Sequence, residues 1–423
     1  MLPLWSLWGL SLVLLLFELP IQAMTVIGVV RSYLRARAPR PPAAPHLPSV
    51  SCLITCYAEG KLVQQTIYTL VEQCYDAPVE IITMVDGASR NRDTLAALQA
   101  MQSYVDAAPR RSLRIVPKWE RGGRVSSLNS GLALATGEIV MALDGDTCFD
   151  NDMIFNAVQR MADPCVVAVA GNLRVSNKNK NLLTRLQALE YMLTISLSKT
   201  GLSEWNALNN ISGAFGVFRR EMLTTMGGWN TGTAEDLDMT IRHAQYFGRH
   251  PLMRMRFAHD AIGHTEVPET IGRFVRQRMV WDGDCHYEYM RAHRAAFNPR
   301  LLGARFFLMM LWAGLIGQVV LPFWVFLNVT YLALAHPSTL LAAFPLTYAY
   351  YMVVMSLQFV LYLGMVSERP RQDAPYGLLL PLYPFFSTAK SFITIAALLK
   401  NALLRSFLDS PMAPYWVLMR SKW

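Results

Sequence analysis

Residues 138–147 read Glu-Ile-Val-Met-Ala-Leu-Asp-Gly-Asp-Thr, an apolar run that ends in two aspartates separated by one glycine. Such a run, bounded by turn-forming residues, is typical of a strand buried on both faces of a parallel sheet. Parallel sheets bind ligands at the carboxyl ends of their strands, where Asp144 and Asp146 fall. Two closely spaced carboxylates there suit a hard divalent cation; the alternative is an Asx turn that caps the next helix.

The same alternation of strand and helix patterns continues on the N-terminal side of this stretch. Apolar runs at residues 50–56, 79–85 and 113–116 predict three further strands. Helical patterns separate them, one ending near Gln73 and one at residues 125–135. This alternation predicts a doubly wound α/β domain.

The composition indicates membrane-spanning segments. Hydrophobic residues make up 53% of the 423 residues, and the mean hydropathy is +0.24. Between residues 306 and 367 the chain has no Asp, Glu, Lys or Arg, which leaves room for two spanning helices broken near residues 335–338. A buried soluble hairpin is the weaker alternative for an uncharged stretch of this length.

The first 30 residues are predicted to form an N-terminal transmembrane helix. A signal peptide is the alternative, but the run lacks a basic start and an obvious cleavage site. A basic, proline-rich linker follows at residues 31–48, and the positive-inside rule then places the next domain in the cytosol. We therefore expect a cytosolic domain at residues 49–297, transmembrane or interfacial helices at 298–405, and a C-terminal tail at 406–423.

The topology of residues 376–399 has two alternatives. This apolar segment contains Pro381, Pro384 and Lys390. A full span would place the basic C-terminal tail outside the cytosol, against the charge rule, whereas a re-entrant or interfacial helix would keep it inside.

Charge and cysteine content narrow the possible partners. The formal net charge of +9 suits a membrane surface and an anionic substrate, and no compact basic motif predicts binding to nucleic acid. All six cysteines fall in the expected cytosolic part, where thiols stay reduced. Their spacing matches no zinc site.

Several motifs, in the right order, carry a family resemblance. The chain resembles the nucleotide-sugar half of the family-2 glycosyltransferases in Tyr57-Ala58-Glu59, Val85-Asp86-Gly87, the Leu128-Asn129-Ser130-Gly131 run and Asp144-Gly145-Asp146. It is similar to their membrane-bound, processive branch in Ser212-Gly213-Ala214-Phe215, Ala234-Glu235-Asp236 and Gln277-Arg278-Met279-Val280-Trp281. That branch includes hyaluronan, cellulose, chitin-oligosaccharide and poly-N-acetylglucosamine synthases. The resemblance implies a GT-A-type domain with a mixed, mostly parallel sheet.

The resemblance implies that the first two motifs recognise the uridine of a UDP-sugar. Asp86 would accept a hydrogen bond from the uracil ring, and Tyr57 would stack on the base. Glu59 belongs to the same nucleotide-sugar site. From its sequence context alone, Asp86 is equally consistent with a turn former.

The Asp-Gly-Asp motif would serve the diphosphate. Asp144 would lie near the ribose and diphosphate, and Asp146, with Asp144, would bind Mg²⁺ or Mn²⁺, which neutralises charge on the leaving UDP. Where the family often has Gly-Lys, this chain has Gly123-Arg124, so Arg124 is expected to contact phosphate. The alternative for Arg124 is a solvated side chain at a helix N-terminus.

The Ala234-Glu235-Asp236 motif implies the acceptor side. Asp236 is expected to be the general base that takes the proton of the acceptor hydroxyl in an inverting transfer. Gly213 and Glu235 are expected to contact the acceptor. Helix capping is the alternative reading for the acidic residues here.

The last motif departs from the family pattern Gln-x-x-Arg-Trp. Val280 stands where the family has arginine, so Arg278 is expected to contact the diphosphate in its place. Gln277 and Trp281 lie four residues apart, on one helix face, and are expected to bind the acceptor sugar. A tryptophan at the membrane interface is the alternative for Trp281.

These observations predict an inverting glycosyltransferase of the inner membrane that extends a β-linked polysaccharide, with UDP-N-acetylglucosamine as the preferred donor by analogy. Its partners would be the UDP-sugar, the polysaccharide, the lipid bilayer and export-complex proteins. One alternative is a transferase that adds a single sugar to a lipid acceptor. Another is a transport or assembly subunit without catalytic activity.

Overall fold

The computed structural model describes residues 14–38, 45–230 and 234–404. Its strands are β1 (Val50–Cys56), β2 (Val79–Asp86), β3 (Arg111–Lys118), β4 (Ile139–Asp144), β5 (Cys148–Phe149), β6 (Val166–Val175), β7 (Phe215–Arg219) and β8 (Arg254–Thr265). They form one sheet in the order β3-β2-β1-β4-β7-β6-β8-β5. The first four are parallel, and β7 runs antiparallel to β4 and β6. The predicted α/β class with a mixed, mostly parallel sheet is confirmed.

The central strands form because their side chains are buried on both faces. Leu53 and Ile54 are consecutive in β1, point to opposite faces and have no exposed area. Leu53 packs in the cluster that contains Leu128, and Ile54 packs in the cluster that contains Ile67. The sheet is therefore covered on both sides, as its continuous apolar strands require.

Helices flank the sheet and connect its strands. They are α1 (Leu19–Arg37), α2 (Leu62–Val71), α3 (Arg92–Gln99), α4 (Gln102–Asp106), α5 (Arg124–Leu134), α6 (Met153–Gln159), α7 (Leu182–Glu190), α8 (Ser198–Glu204), α9 (Arg220–Thr225), α10 (Glu235–Ala244) and α11 (Ile271–Tyr287). Shorter helical turns occupy Leu14–Glu18, Tyr191–Leu197, Glu288–Ala292, Arg294–Ala296 and Pro299–Leu302. The turn at Tyr191–Leu197 joins α7 directly to α8.

Strand register brings polar side chains to one edge of the sheet. Thr55 of β1 pairs with Asp144 of β4, and Asp86 of β2 pairs with Lys118 of β3. Because these strands are parallel, their carboxyl ends lie side by side. The sheet alone thus brings Asp86 and Asp144 to the same end, and loops and helix α5 supply the other predicted donor-site residues.

Three apolar helical segments among the described residues are long enough to cross a membrane. They are M1 (Ala304–Ala335), M2 (Pro337–Val366) and M3 (Pro370–Leu403). Their constituent helices are Ala304–Met309, Met310–Val320 and Leu321–Ala335 in M1, Pro337–Leu361 and Tyr362–Val366 in M2, and Pro370–Asp373, Ala374–Leu382 and Tyr383–Leu404 at M3. M1 and M2 meet at His336, in the predicted break.

The link between M2 and M3 returns to the catalytic domain. The Arg369 guanidinium donates to Asp150 at 3.0 Å, beside β5. Asp373 is fully buried and accepts hydrogen bonds from Tyr362 at 2.7 Å and from Arg174 of β6 at 3.4 Å. The C-terminal end of M2 and the link that follows it therefore contact the sheet directly.

Helix α1 packs closely on α8. The predicted N-terminal span, residues 1–30, lies partly at residues 1–13, outside the described residues; its remainder is the turn at Leu14–Glu18 and the first part of α1. A side chain on Gly28 would overlap the carbonyl oxygen of Gly201, so the two backbones touch. Around this contact, Trp205 donates to the Met24 carbonyl at 2.9 Å, and Arg35 pairs with Glu204 at 2.6 Å.

Candidate active site

Asp86 is held by backbone amides at the end of β2. Its two oxygens accept hydrogen bonds from the amides of Gly122 and Gly123, at 2.8 and 2.9 Å. Gly123 has φ +84°, a left-handed conformation that suits glycine, and it directly precedes α5. Lys118 completes the set at 3.2 Å from Asp86. The carboxylate is thus fixed and only 4% exposed.

Tyr57 lies at the mouth of the same cleft. Its side chain is exposed, and the guanidinium of Arg121 lies 4.2 Å from the ring centroid. An exposed aromatic face beside a cation suits a flat, anionic ligand such as a nucleotide.

Asp144, Asp146 and Glu59 concentrate negative charge in the cleft. Burial, followed by the charge of Asp144, raises the pKa of Asp146. Burial also raises the pKa of Glu59 to about 6, with smaller contributions from Asp146 and Asp144. The buried Oε2 atom of Glu59 has no hydrogen-bond partner. The cluster is therefore short of positive charge.

Arg124 is the cation at the centre of the cleft. It is the first residue of α5 and donates to Asp144, to Glu235 at 2.5 Å and to the carbonyl oxygen of Gly213 at 2.7 Å. Burial lowers its pKa, but Asp144 and Glu235 outweigh burial and raise it overall. Arg124 thus joins the donor-side carboxylate to the acceptor-side motif.

Asp236 faces the same centre from the first turn of α10. Its Oδ2 atom accepts hydrogen bonds from the Gly213 amide at 3.0 Å and from Asn210 at 3.1 Å. Burial raises the pKa of the neighbouring Glu235 to about 6; Arg124 lowers it and Asp236 raises it. Because a side chain on residue 213 would crowd Glu235, a glycine here lets the two motifs approach.

The cleft has a volume of about 230 Å³. Of the predicted donor and metal residues, Tyr57, Glu59, Asp86, Arg124, Asp144 and Asp146 line it. Gly213 and Glu235 meet it through Arg124, and Asp236 adjoins them through its hydrogen bond with the Gly213 amide. The structure thus brings together nine of the predicted residues, whose roles stay predictions.

The Gln277 to Trp281 motif lies apart from this lining. Arg278 is buried and donates to Glu190 at 2.7 Å, and it is absent from the residues that line the cleft. The diphosphate contact predicted for Arg278 therefore has no counterpart among its described contacts. Trp281 is 40% exposed, and the buried Oε1 atom of Gln277 has no hydrogen-bond partner.

The sequence interpretation missed Lys118 and Glu190. Lys118 had a usable signal, since it follows a predicted strand next to the strand that ends at Asp86. Glu190 had none, because its partners Arg278 and Lys390 lie 88 and 200 residues away in the chain.

A second cluster of polar side chains joins α10 to the turns after α11. His293 lies 2.9 Å from Asp238 and 3.4 Å from Glu288. The ligand atoms of these three residues lie within 4.8 Å of one another, close enough to hold a metal ion. Asp238 also pairs with Arg242 at 2.7 Å, so this guanidinium already balances part of the negative charge.

Known proteins share this architecture. A solved mannosyltransferase from Pyrobaculum calidifontis, in complex with GDP-Man and Mn²⁺, superposes with a TM-score of 0.55 at 20% sequence identity. The match covers 95% of this chain and 99% of that one. At this identity the likeness shows the fold.

Two curated relatives are poly-beta-1,6-N-acetyl-D-glucosamine synthases. The Staphylococcus epidermidis enzyme is 28% identical over 285 residues, which are 67% of this chain and 64% of that protein. The enzyme of Staphylococcus aureus strain COL is 27% identical over 290 residues, 68% and 65% of the two chains. The chain thus matches just under two thirds of the length of these relatives.

The family model described as glycosyl transferase family group 2 matches residues 139–362. These residues are more than half of the chain and extend from β4 through the acceptor-side motifs into M2. The resemblance predicted from the motifs is confirmed, and the chain belongs to glycosyl transferase family group 2.

Proposed function

We propose that the protein is a membrane-embedded inverting glycosyltransferase that extends a β-linked polysaccharide from a UDP-sugar. One observation carries the proposal: Asp144 and Glu235, from the donor and acceptor motifs, bind the same guanidinium of Arg124. Asp236 follows Glu235 and accepts a hydrogen bond from the Gly213 amide, so the proposed base and the proposed diphosphate site would lie on either side of one small volume. An inverting transfer needs this arrangement.

The donor is proposed to be UDP-N-acetylglucosamine. The names of the two staphylococcal relatives support this sugar. In the cleft, Asp86 is fixed as an acceptor for a uracil N–H, and Tyr57 offers a face to the base. The exposed guanidinium of Arg121 beside Tyr57 would meet the phosphates or the base edge.

A divalent cation fits the donor set of the cleft. Carboxylate oxygens are the ligands that Mg²⁺ and Mn²⁺ prefer, and the unpartnered Oε2 atom of Glu59 lies among them. Asp144 and Asp146 would hold the ion, with Glu59 as a third ligand. The bound ion would neutralise charge on the leaving diphosphate. The solved relative with Mn²⁺ supports this choice of metal class.

The protein's own side chains do the remaining chemistry. Asp236 would accept the proton of the acceptor hydroxyl, since two hydrogen bonds fix its Oδ2 atom beside Gly213. Arg124 would exchange its carboxylate partners for phosphate oxygens when the donor binds. This exchange would free Glu235 to contact the acceptor.

The apolar segments are proposed to anchor the enzyme in the inner membrane with residues 49–297 in the cytosol. M1 and M2 would form a hairpin across the bilayer, because the link after M2 returns to the sheet through Arg369 and Asp150. Together with the N-terminal helix they would pass the product out, alone or with export proteins. A growing polar chain has no other route through hydrocarbon.

M3 is proposed to lie at the membrane interface. Three polar side chains on one face of this helix contact the catalytic domain. Lys390 contacts Glu190, Thr394 contacts Asp282, and Asn401 contacts the Gly283 carbonyl. A polar face bound to α11 favours an interfacial helix over a full span, so the C-terminus would stay cytosolic.

The test is a screen of UDP-sugars with the purified full chain, with and without Mg²⁺ and Mn²⁺, followed by mass analysis of products. We expect UDP release that requires metal and a ladder of β-linked oligosaccharides. A single added sugar would point to the transferase that modifies a lipid. No UDP release from any donor would overturn the proposal.

A further inference from the structure

A buried carboxylate lies between two cations beneath α11. Glu190, at the end of α7, is 2% exposed. Its Oε2 atom accepts a hydrogen bond from Arg278 of α11, and its Oε1 atom accepts one from Lys390 of M3, each at 2.7 Å. Burial raises the pKa of Glu190, but Lys390 and Arg278 outweigh burial and hold it below its usual value. The carboxylate is therefore charged and binds both cations.

Arg278 connects this carboxylate to an exposed aromatic ring. Its guanidinium lies 4.9 Å from the ring centroid of Trp281 and 5.2 Å from that of Phe274. Phe274 is buried and Trp281 is 40% exposed. Of these two rings, Trp281 is therefore the one that a ligand can reach, and the guanidinium lies against it. The buried Nε atom of Arg278 has no hydrogen-bond partner. Glu190 is thus the described anionic anchor of this guanidinium.

We propose that Glu190 is a positioning residue for the polysaccharide acceptor: it holds Arg278 against the Trp281 ring, and Trp281 offers its face to an acceptor sugar. This rests on the proposed function. It gives Arg278 a different task from the diphosphate contact expected from sequence, and it needs no arginine at Val280. Cation and ring attract each other, and a ring with one preferred orientation binds a ligand with less loss of conformational freedom.

The second cation allows the positioning role to be separated from simple packing. Lys390 binds the other oxygen of Glu190 and belongs to M3, whereas the cation–ring contact described for Trp281 is made by Arg278. Loss of Lys390 removes one ion pair to the same buried carboxylate but leaves the Glu190–Arg278–Trp281 chain of contacts intact. Lys390→Gln is therefore the matched control for Glu190→Gln.

The experiment uses the full chain in lipid nanodiscs, the donor selected by the screen, and a short oligosaccharide isolated from the wild-type reaction as acceptor. We expect Glu190→Gln and Trp281→Ala each to raise the acceptor KM about tenfold, with kcat and the donor KM changed less than about threefold. The double variant should be no worse than Trp281→Ala, because Glu190 acts through that ring. Lys390→Gln should leave the acceptor KM within about threefold.

Three results would overturn the inference: additive effects in the double variant, an equal acceptor defect in Lys390→Gln, or an unchanged acceptor KM in Trp281→Ala. If Glu190→Gln does not fold, Arg278→Lys replaces it. That variant keeps the charge next to Glu190 but removes the flat guanidinium, and it should raise the acceptor KM by the same mechanism. UDP release by the wild-type protein distinguishes failure of the proposed function from failure of this inference. If the wild type releases no UDP, the proposed function is wrong. If it releases UDP and the variants have a wild-type acceptor KM, only this inference is wrong.

Discussion

Two clusters of buried charge in this molecule have opposite signs at their centres. In the cleft, one guanidinium, Arg124, lies between the carboxylates of Asp144 and Glu235. Beneath α11, one carboxylate, Glu190, lies between the cations of Arg278 and Lys390. The first cluster has negative charge in excess, to which Asp146 and Glu59 would add.

The difference shows which cluster needs a ligand from outside. A buried charge is tolerated when it is paired, and an excess of one sign calls for a counter-charge. Beneath α11, Asp282 lies near both cations; burial raises the pKa of Asp282, and Lys390 and Arg278 act against burial and favour its charged form. In the cleft, Arg124 alone cannot balance its carboxylates, so a divalent cation fits there. The cleft cluster therefore calls for a bound cation, whereas the cluster beneath α11 is balanced within the protein and can hold Arg278 in place beside Trp281.

The largest expected effect comes from a substitution at Asp236, on the acceptor side of the cleft cluster. Asp236→Asn keeps the size and the contact with Gly213 but removes the base, so transfer should fall by about 10² to 10⁴-fold. Donor affinity, measured by calorimetry with UDP, should stay within about threefold. Retained polymer formation would show that Asp236 is not the base.

The excess of negative charge in the cleft is tested next. Asp146→Asn should lower UDP release about 100-fold at fixed Mn²⁺ and raise the Mn²⁺ concentration needed for half-maximal rate. The exposed Asp152, which is not among the residues that line the cleft, provides the control Asp152→Asn. If both variants respond to Mn²⁺ alike, the metal does not bind at Asp146.

The protonation of Glu59 should make metal affinity depend on pH. Because its pKa is raised to about 6, Glu59 is protonated below that pH and must lose its proton to bind a cation. Apparent Mn²⁺ affinity should therefore fall up to tenfold per pH unit below pH 6 and level off above it. Binding titrations between pH 5 and 7.5 measure this slope. In Glu59→Gln the slope should flatten; an unchanged slope would remove Glu59 from the site.

The smallest expected effect comes from a substitution at Tyr57, an uncharged side chain that lines the cleft. Tyr57→Ala removes the ring beside Arg121 and should raise the donor KM about five- to tenfold. Tyr57→Phe keeps the ring and should behave like the wild type. Steady-state kinetics with varied donor distinguish the two, and equal defects would mean that the hydroxyl, not stacking, serves the nucleotide.

The donor half of the fold was predictable from local sequence. The predicted strand at residues 50–56 coincides with β1, and β2 exceeds its prediction by one residue, Asp86. Both strands are mostly apolar runs followed directly by turn-forming residues, so the local pattern indicates where each strand begins and ends. Strand β3 extended further than predicted, because its polar ends Arg111 and Lys118 pair with β2 at an edge of the sheet.

The remainder depends on contacts between distant residues. No local pattern marks β7 as antiparallel or orders β6, β8 and β5 beyond it, because this order follows from how the loops close. The bridge from Arg124 to Glu235 joins residues 111 apart, and Arg278 turned to Glu190 rather than to the cleft. The spacing of a motif can identify candidate side chains, but it does not predict which distant residues they contact.

The backbone contact between Gly28 and Gly201 would set how the proposed N-terminal anchor holds the enzyme at the bilayer. Since neither helix can rotate without carrying atoms into the other, the proposed anchor and the catalytic domain keep one relative tilt. The cleft would then open at a constant height and angle above the lipid headgroups. Two residues without side chains would decide where the newly made sugar polymer first meets hydrocarbon.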